Sequence, residues 1–295
     1  PIKVETEEIK LNVLAFDSQG RFYKDVSAND LVITENDILH QPASVRRIPA
    51  NVLIVLDTGG EMRYVKSLDR TRQIAKALIA ALRPEDNVAI LQYSDKAELV
   101  DDFTNDRKRT LDALMKQTKF GRGSAMIEAL TLATDKLQKL PVDNRQLVLI
   151  TDGTDGLNRS SARFDAFQKL SASDISVHVF SYTSLESTDI EPRTKGISNS
   201  PPPKAMPDEV AQQLPNGARD VATAPKSKTI TIDRAFIQNM KARKASLDVA
   251  EGELRKLADN TNGEFILPTS IDEMIDKAPL VARMIDSAYV VTYMP

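Results

Sequence analysis

The first 48 residues carry short stretches in which apolar and polar positions alternate. EIKLNVLAF, at 8–16, places Ile9, Leu11 and Val13 on one face, and the turn DSQG follows. DLVITENDIL, at 30–39, has the pattern of a second strand that ends in the turn-prone ENDI, and ASVRRI, at 43–48, that of a third. A period of two is typical of strands with one buried face. Residues 1–48 are therefore predicted to form a small sandwich-like β module.

From residue 51 onward, continuous apolar runs replace the alternation. The runs are NVLIVLD (51–57), NVAILQYS (87–94), QLVLITDG (146–153), ISVHVFSYT (175–183) and EFILP (264–268), with AELVDDFT (97–104) as an extra strand. Such runs are typical of strands buried on both faces of a parallel sheet. Helical patterns lie between them, for example at 68–86, where Ile74, Leu78, Ile79 and Leu82 share one face before Pro84. Residues 49–295 are predicted to form a doubly wound, mostly parallel, Rossmann-like α/β sheet flanked by helices, with YVVTYMP (289–295) as a closing strand.

One segment interrupts this rhythm. Residues 184–228 contain seven of the 15 prolines of the chain, including PPP at 201–203. A segment of this composition buries too little apolar surface to offset its ordering entropy, so we expect a mobile insertion. Helical periodicity returns with Leu247, Ala250 and Leu254, and a further helix at 271–288 is predicted to be interrupted near Pro279. The basic run KARK, at 241–244, is interpreted as a solvated helix face.

Composition excludes several classes of function. The 42 acidic and 39 basic residues give a net charge of −3, and there is no basic run with interleaved aromatics, which argues against nucleic-acid binding. No window approaches eighteen uninterrupted apolar residues, so no membrane span is predicted. The absence of cysteine excludes disulfides, thiolate metal sites and a cysteine nucleophile.

Three predicted loops converge at the carboxyl ends of the strands, where open α/β sheets bind ligands. The first follows NVLIVLD, the second contains GRGSAM at 121–126, and the third follows QLVLITDG. Together with DDFT (101–104), RGSAMIEAL (122–130), LVLITDGTD (147–155) and the final YVVTYMP, this order resembles a von Willebrand factor A domain. More closely, it resembles the bacterial VWFA-related family described chiefly from acidobacterial genomes, over nearly the whole chain except 184–245. The resemblance implies a metal-ion-dependent adhesion site, in which two aspartates and three hydroxyls hold Mg²⁺ or Ca²⁺.

Only part of that ligand set is present. Asp57 matches the first aspartate of the family motif, Asp152 the second, and Ser124 the threonine, while the two serine positions fall on Gly59 and Glu61. Ser124 is also predicted to cap the following helix. Hard cations accept carboxylates, so Asp57, Glu61, Ser124 and Asp152 are the candidate ligands of a Mg²⁺ or Ca²⁺ ion. The preferred interpretation is a degenerate site. Replacement of Gly59 and Glu61 by serine is expected to restore its metal binding.

The resemblance implies a non-enzymatic interaction or adhesion module. Its protein partner would dock on the loops at the top of the sheet, and its location would be extracytoplasmic or secreted. Two alternatives stay open. One is a metal-dependent hydrolase or phosphotransfer enzyme that uses Asp57 and Asp152, although no general-base or cofactor motif accompanies them. The other is a purely structural subunit.

Overall fold

The computed structural model describes residues 8–18, 23, 25–60, 65–141, 144–156, 160–197, 230, 232–286 and 288–295. Its strands are β1 (Ile9–Leu14), β2 (Ile33–Glu35), β3 (Ile38–His40), β4 (Pro42–Arg46), β5 (Asn51–Asp57), β6 (Asn87–Tyr93), β7 (Ala97–Thr104), β8 (Arg145–Thr151), β9 (Ile175–Ser181), β10 (Phe265–Ile266) and β11 (Ala288–Tyr293). Its helices are α1 (Leu68–Ala81), α2 (Arg107–Gln117), α3 (Met126–Gln138), α4 (Ser160–Ser171), α5 (Thr183–Thr194), α6 (Arg234–Asn260) and α7 (Ile271–Asp286), with a short 3₁₀ helix at Ala28–Asp30.

The central sheet has six strands in the order β10-β9-β8-β5-β6-β7. All pairs are parallel except β6 with β7, which are antiparallel. Every residue of β5 is buried, as expected for a strand covered on both faces. The predicted mostly parallel α/β sheet with flanking helices is therefore confirmed, including the six strands predicted for its core.

The side chains of β5 alternate between two cores. Val52, Ile54 and Leu56 pack with residues of α1 and α7 on one face of the sheet. Leu53 and Val55 pack with residues of α3, α4 and α6 on the other. Since successive side chains of a strand point to opposite faces, this one run of apolar residues serves both layers of helices.

A second, smaller sheet contains strands from both halves of the sequence, in the order β1-β11-β4. Strand β11 pairs antiparallel with both neighbours. Its Val291 lies opposite Leu11 of β1 on one side and opposite Val45 of β4 on the other. The predicted closing strand of the α/β domain thus lies in the sheet of the N-terminal β region. The domain boundary at residues 48–49 stays a prediction.

Residues 30–39 differ from the single strand predicted there. They form the hairpin β2–β3, in which Glu35 pairs with Ile38 across Asn36 and Asp37. Both turn residues have positive φ, 50° and 63°. Asn and Asp tolerate this conformation, and a two-residue turn of this kind matches the twist of the flanking strands.

The predicted insertion at 184–228 also needs correction. Its first part is helix α5, which places Glu186 and Ile190 in buried positions despite few apolar residues and an internal Pro192. Helix α6 likewise begins at Arg234, well before the apolar stripe at Leu247. Residues 198–229 lie outside the described residues, so the predicted mobility there stays a prediction.

Helix α7 runs through Pro279 without the predicted interruption. Proline removes one hydrogen bond from a helix interior and costs about 3 kcal/mol. Nevertheless, Met274 and Ala278 before Pro279 and Val281 after it are all buried against the central sheet. We attribute the continuous helix to this packing, which outweighs the low helix propensity of proline.

Candidate functional site at the carboxyl edge of the central sheet

Two aspartates lie side by side at the carboxyl edge of the sheet. Asp57 ends β5, and Asp152 follows Thr151, the last residue of β8. The two strands are parallel neighbours, with Leu56 opposite Ile150, so their carboxyl ends coincide. The side chains of both aspartates are almost fully buried, with 0% and 2% exposure.

The ammonium group of Lys66 lies between the two carboxylates. Its Nζ is 2.9 Å from Oδ2 of Asp57 and 2.8 Å from Oδ2 of Asp152, and the lysine side chain is only 4% exposed. Lys66 immediately precedes Ser67, the N-cap of α1, whose hydroxyl accepts from the backbone N–H of Arg70. The helix start therefore fixes the point from which the lysine reaches back to the strand ends.

Protein donors satisfy every oxygen of the two carboxylates. The backbone N–H of Gly59 donates to Oδ1 of Asp57 at 3.1 Å. The backbone N–H and the hydroxyl of Thr154 donate to Oδ1 of Asp152 at 2.8 and 2.6 Å. Arg243 adds a second cation, since its Nη2 is 3.2 Å from Oδ2 of Asp152. The pair of aspartates is thus enclosed by two cations and by loop donors.

Arg243 corrects the interpretation of KARK as a solvated helix face. It also donates to Thr154 Oγ1 at 2.9 Å and to Glu186 Oε2 at 2.8 Å, and its side chain is 29% exposed. Glu186 lies on α5 and is buried, and its Oε1 has no hydrogen-bond partner within the part of the chain that the structure describes. Arg243 therefore joins α6 to α5 and to the end of β8.

The pKa values follow from burial and from these contacts. Burial lowers the pKa of Lys66, but Asp152 and Asp57 outweigh it, and the net pKa lies above its ordinary value. Burial raises the pKa of Asp57 against the opposing effect of Lys66. For Asp152, Lys66 and Arg243 overcome burial and hold the pKa below its ordinary range. Burial, followed by the charge of Asp152, raises the pKa of Glu186 to about 8. Lysine and arginine thus stay charged in a site where a neutral Glu186 is favoured.

Of the two remaining candidate residues, the structure describes only Ser124, whose hydroxyl bonds to a loop carbonyl. The hydroxyl of Ser124 donates to the backbone carbonyl of Thr154 at 2.7 Å, and helix α3 is capped by Ala125 instead of Ser124. The loop carbonyl thus takes the hydroxyl that was predicted to cap the helix. Glu61 lies outside the described residues.

Position 59, where the family motif has its first serine, has no room for a side chain. A Cβ on Gly59 would lie 1.9 Å from the carbonyl oxygen of Gly123 and 3.0 Å from Cα of Ser94. Serine at position 59 therefore requires a shift of the loop before α3. Position 61 lies outside the described residues, so the expectation that serine at 59 and 61 restores metal binding stays a prediction. With Lys66 between the carboxylates, the part of this site that the structure describes fits an ammonium group and not a Mg²⁺ or Ca²⁺ ion.

A cleft of about 390 Å³ opens directly above this cluster. The loop after β5, the loop before α3, the loop after β8 and helix α6 form its walls. The side chains that line it are mostly polar: Lys66, Arg122, Thr154, Asp155, Asn239 and Arg243. Arg122 is exposed and makes no hydrogen bond or ion pair with a described residue.

Sequence alone indicated Asp57 and Asp152 but not Lys66 or Arg243. The aspartates end apolar strands, which is a local pattern. The two cations lie 86 and 91 residues from Asp152 along the chain, so their pairing depends on the tertiary fold. A lysine two residues before a predicted helix, in the loop that lacks the two serines of the family motif, was the only local signal.

Parts of this chain are similar to known proteins. Residues 52–154 match the family model of the von Willebrand factor type A domain. No curated protein is significantly similar to the chain in sequence. Among solved structures, a von Willebrand factor type A protein from Catenulispora acidiphila is 15% identical with a TM-score of 0.50, and the match covers 84% of this chain and 44% of that one. BatB from Bacteroides thetaiotaomicron is 18% identical with a TM-score of 0.46, and the match covers 80% of this chain and 98% of that one. Residues 52–154 therefore match a von Willebrand factor type A domain, and they lie within the mostly parallel six-stranded sheet.

Proposed function

We propose that this protein is a non-enzymatic interaction module that binds a protein partner in the cleft at the carboxyl edge of its sheet, above a degenerate metal site. The observation that carries the proposal is the cleft itself. It lies where open α/β sheets bind ligands, and four separate segments of the chain contribute its polar walls. The ion pairs beneath it hold the ends of β5 and β8 and helix α6 together, which gives a partner a pre-organised surface.

Arg122 is the side chain best placed to contact a partner. It is exposed, it lines the cleft, and it has no partner among the described residues. Arginine is enriched in the energetically important centres of protein interfaces. A partner that covers Arg122 would also meet Asn239 of α6, which is on the same cleft.

The alternative of a hydrolase or phosphotransfer enzyme is less compatible with this geometry. A general base needs a carboxylate oxygen that can reach the substrate. Asp57 is fully buried, and donors of the protein already occupy the oxygens of both aspartates. The prediction for the alternative is that Asp57→Asn abolishes a hydrolytic activity; the interaction module is expected to have none to lose.

The resemblance to exported relatives leads us to propose an extracytoplasmic location. No described helix has the length and apolar character needed to cross a bilayer. Fractionation of the cells that produce the protein tests the location, since recovery only with the cytoplasmic fraction would contradict it.

Site-specific photo-cross-linking in the native cells tests the interaction directly. A photoreactive amino acid replaces Arg122 or Asn239 in the cleft, and replaces Lys108 as the control. Lys108 is exposed near the start of α2, which follows the end of antiparallel strand β7 and so lies at the opposite edge of the sheet. We expect one discrete adduct from both cleft positions and none from Lys108.

Charge reversal provides a second measurement on the partner so identified. Arg122→Glu is expected to weaken binding at least tenfold, whereas Lys108→Glu makes the same change in net charge and should leave the affinity unchanged. Adducts of equal yield from both edges of the sheet, or equal effects of the two reversals, would contradict the proposed docking surface.

A further inference from the structure

We infer that Lys66 and Arg243 are the resident cation of this site: two side chains that permanently supply the two positive charges a divalent metal ion would bring. This role does not depend on which partner the cleft binds. It makes a definite statement about the site, namely that its order and its stability are independent of Mg²⁺, Ca²⁺ and chelators.

The contacts show how the substitution works. A divalent ion lies at the centre of a set of oxygen ligands. Here Nζ of Lys66 occupies that central position and donates to one oxygen of each aspartate, at 2.9 and 2.8 Å. The guanidinium of Arg243 approaches the same Oδ2 of Asp152 from α6, at 3.2 Å. Two unit charges thus face the two aspartates, as one doubly charged ion would.

The two described motif positions beside the aspartates, Gly59 and Ser124, supply no ligand for a metal. Gly59 has no room for a side chain against the carbonyl of Gly123. Ser124 uses its hydroxyl on the carbonyl of Thr154. Only removal of the lysine side chain would open a space between the carboxylates, and that space would be continuous with the cleft, which Lys66 lines.

Covalent attachment also changes what the cation does for the fold. Lys66 connects the ends of β5 and β8 to the start of α1, and Arg243 connects β8 to α6 and α5. A metal ion would dissociate from such a site at low concentration, whereas these side chains cannot. The ends of β5 and β8, the start of α1 and the helices α5 and α6 are therefore held together whether or not a divalent ion is present.

Two substitutions at position 66 separate the charge from the space it occupies. Lys66→Ala removes both, so millimolar Mn²⁺ or Mg²⁺ can enter between Asp57 and Asp152. Lys66→Met removes the charge but fills the space with a chain of similar length. Lys76→Ala, at an exposed position on α1, is the matched control.

Thermal unfolding in chelator and in millimolar Mg²⁺, Ca²⁺ or Mn²⁺ is the readout. The unmodified protein and Lys76→Ala are expected to have the same Tm in every condition. Both Lys66 variants should lose roughly 10 °C in chelator, since a buried carboxylate pair is left without its cation. Divalent ions should restore several degrees to Lys66→Ala and nothing to Lys66→Met, and Asp152→Asn in the Lys66→Ala background should abolish that recovery.

Some outcomes would overturn the inference. One is a Tm of the unmodified protein that rises with divalent ions as much as that of Lys66→Ala. Another is a Lys66→Ala variant as stable as the unmodified protein and indifferent to metal. If Lys66→Ala is recovered folded only when metal is present, the inference is supported. If it does not fold at all, calorimetric titration of the unmodified protein decides: one-to-one binding of Mn²⁺ would overturn the inference, and absence of binding would support it. None of these results bears on whether the cleft binds a protein partner.

Discussion

Lys66 keeps its ammonium group almost entirely out of water, with two carboxylates as direct partners. Removal of one member of a buried ion pair typically costs 3–5 kcal/mol, because the other charge is left uncompensated. Asp57, Asp152 and Lys66 therefore depend on one another, and Arg243 adds a second positive charge to the group. The two aspartates could be identified from the sequence because they match a family motif. Lys66 and Arg243 could not, because no motif marks their long-range pairing with these aspartates.

Gly59 gives a prediction about the space around this group. Gly59→Ala places a Cβ against the carbonyl oxygen of Gly123, so the free energy of unfolding should fall by about 2 kcal/mol or more, as in other overpacked sites. Gly156→Ala is the control in the same group of loops, since a Cβ there would meet nothing closer than 3.4 Å. Urea unfolding measures both variants. An equal stability of the two would show that the loop before α3 yields easily.

His178 gives a prediction about pH. It lies in β9 with Nε2 3.0 Å from Gln146 Oε1, and its Nδ1 accepts from the backbone N–H of Glu264 at 3.1 Å. These contacts require the neutral ring, and burial lowers its pKa from 6.5 to about 4. Below pH 6.5 the unfolded chain therefore binds a proton that the folded protein does not. Stability should fall as the pH drops from 6.5 to 4, by about 3 kcal/mol from this residue alone.

The variant His178→Gln isolates that contribution. Denaturant unfolding of both proteins is measured at steps between pH 7 and pH 4. The difference in stability between the unmodified protein and the variant should shrink toward low pH, because glutamine does not titrate. A difference that stays constant over this range would contradict a neutral, buried His178.

Helix α6 shows at the scale of elements what hydrophobic periodicity detects. Its second half was predicted from the stripe at Leu247, Ala250 and Leu254, which packs on the sheet. Its first half was missed because polar contacts hold it there. Arg243 donates a hydrogen bond to Glu186, and Lys244 forms an ion pair with Glu191. The six core strands, by contrast, were found because each is an apolar run or a clear alternation. Periodicity measures apolar burial and does not detect polar tertiary contacts.

The same helix carries an interior glycine. Gly252 lies inside α6, and a Cβ there would meet no atom within 4 Å. Gly252→Ala should therefore raise the free energy of unfolding by about 0.5–1 kcal/mol, which is the helix propensity difference between the two residues. Urea unfolding is again the measurement. A destabilised variant would mean that position 252 is not in a regular helix.

At the scale of the whole molecule, strand β11 joins the two ends of the described chain. It is the central strand of the small sheet, and Tyr289, Val291 and Tyr293 form a separate core with Ile33 of the hairpin. Arg47 and Arg83 both pair with Asp286, at the end of α7, directly before this strand. Local patterns identified both regions as β structure, but strand pairing across some 280 residues could not be predicted from them.

Deletion of residues 288–295 tests that arrangement. Without β11, the strands β1 and β4 have no common neighbour, so their amides should lose protection from hydrogen exchange. The amides of β5 and β8 should stay protected, since the central sheet does not contain β11. Deletion of residues 294–295 alone is the control. Retained protection in β1 and β4 would contradict the strand order of the small sheet.

The most direct test of the resident cation is a crystal structure of the unmodified protein grown with Mn²⁺, with anomalous diffraction measured for the metal. The expected result is continuous density for the Lys66 side chain between Asp57 and Asp152, with no anomalous peak at that position. A manganese peak between the two carboxylates, with Lys66 turned away from them, would contradict it.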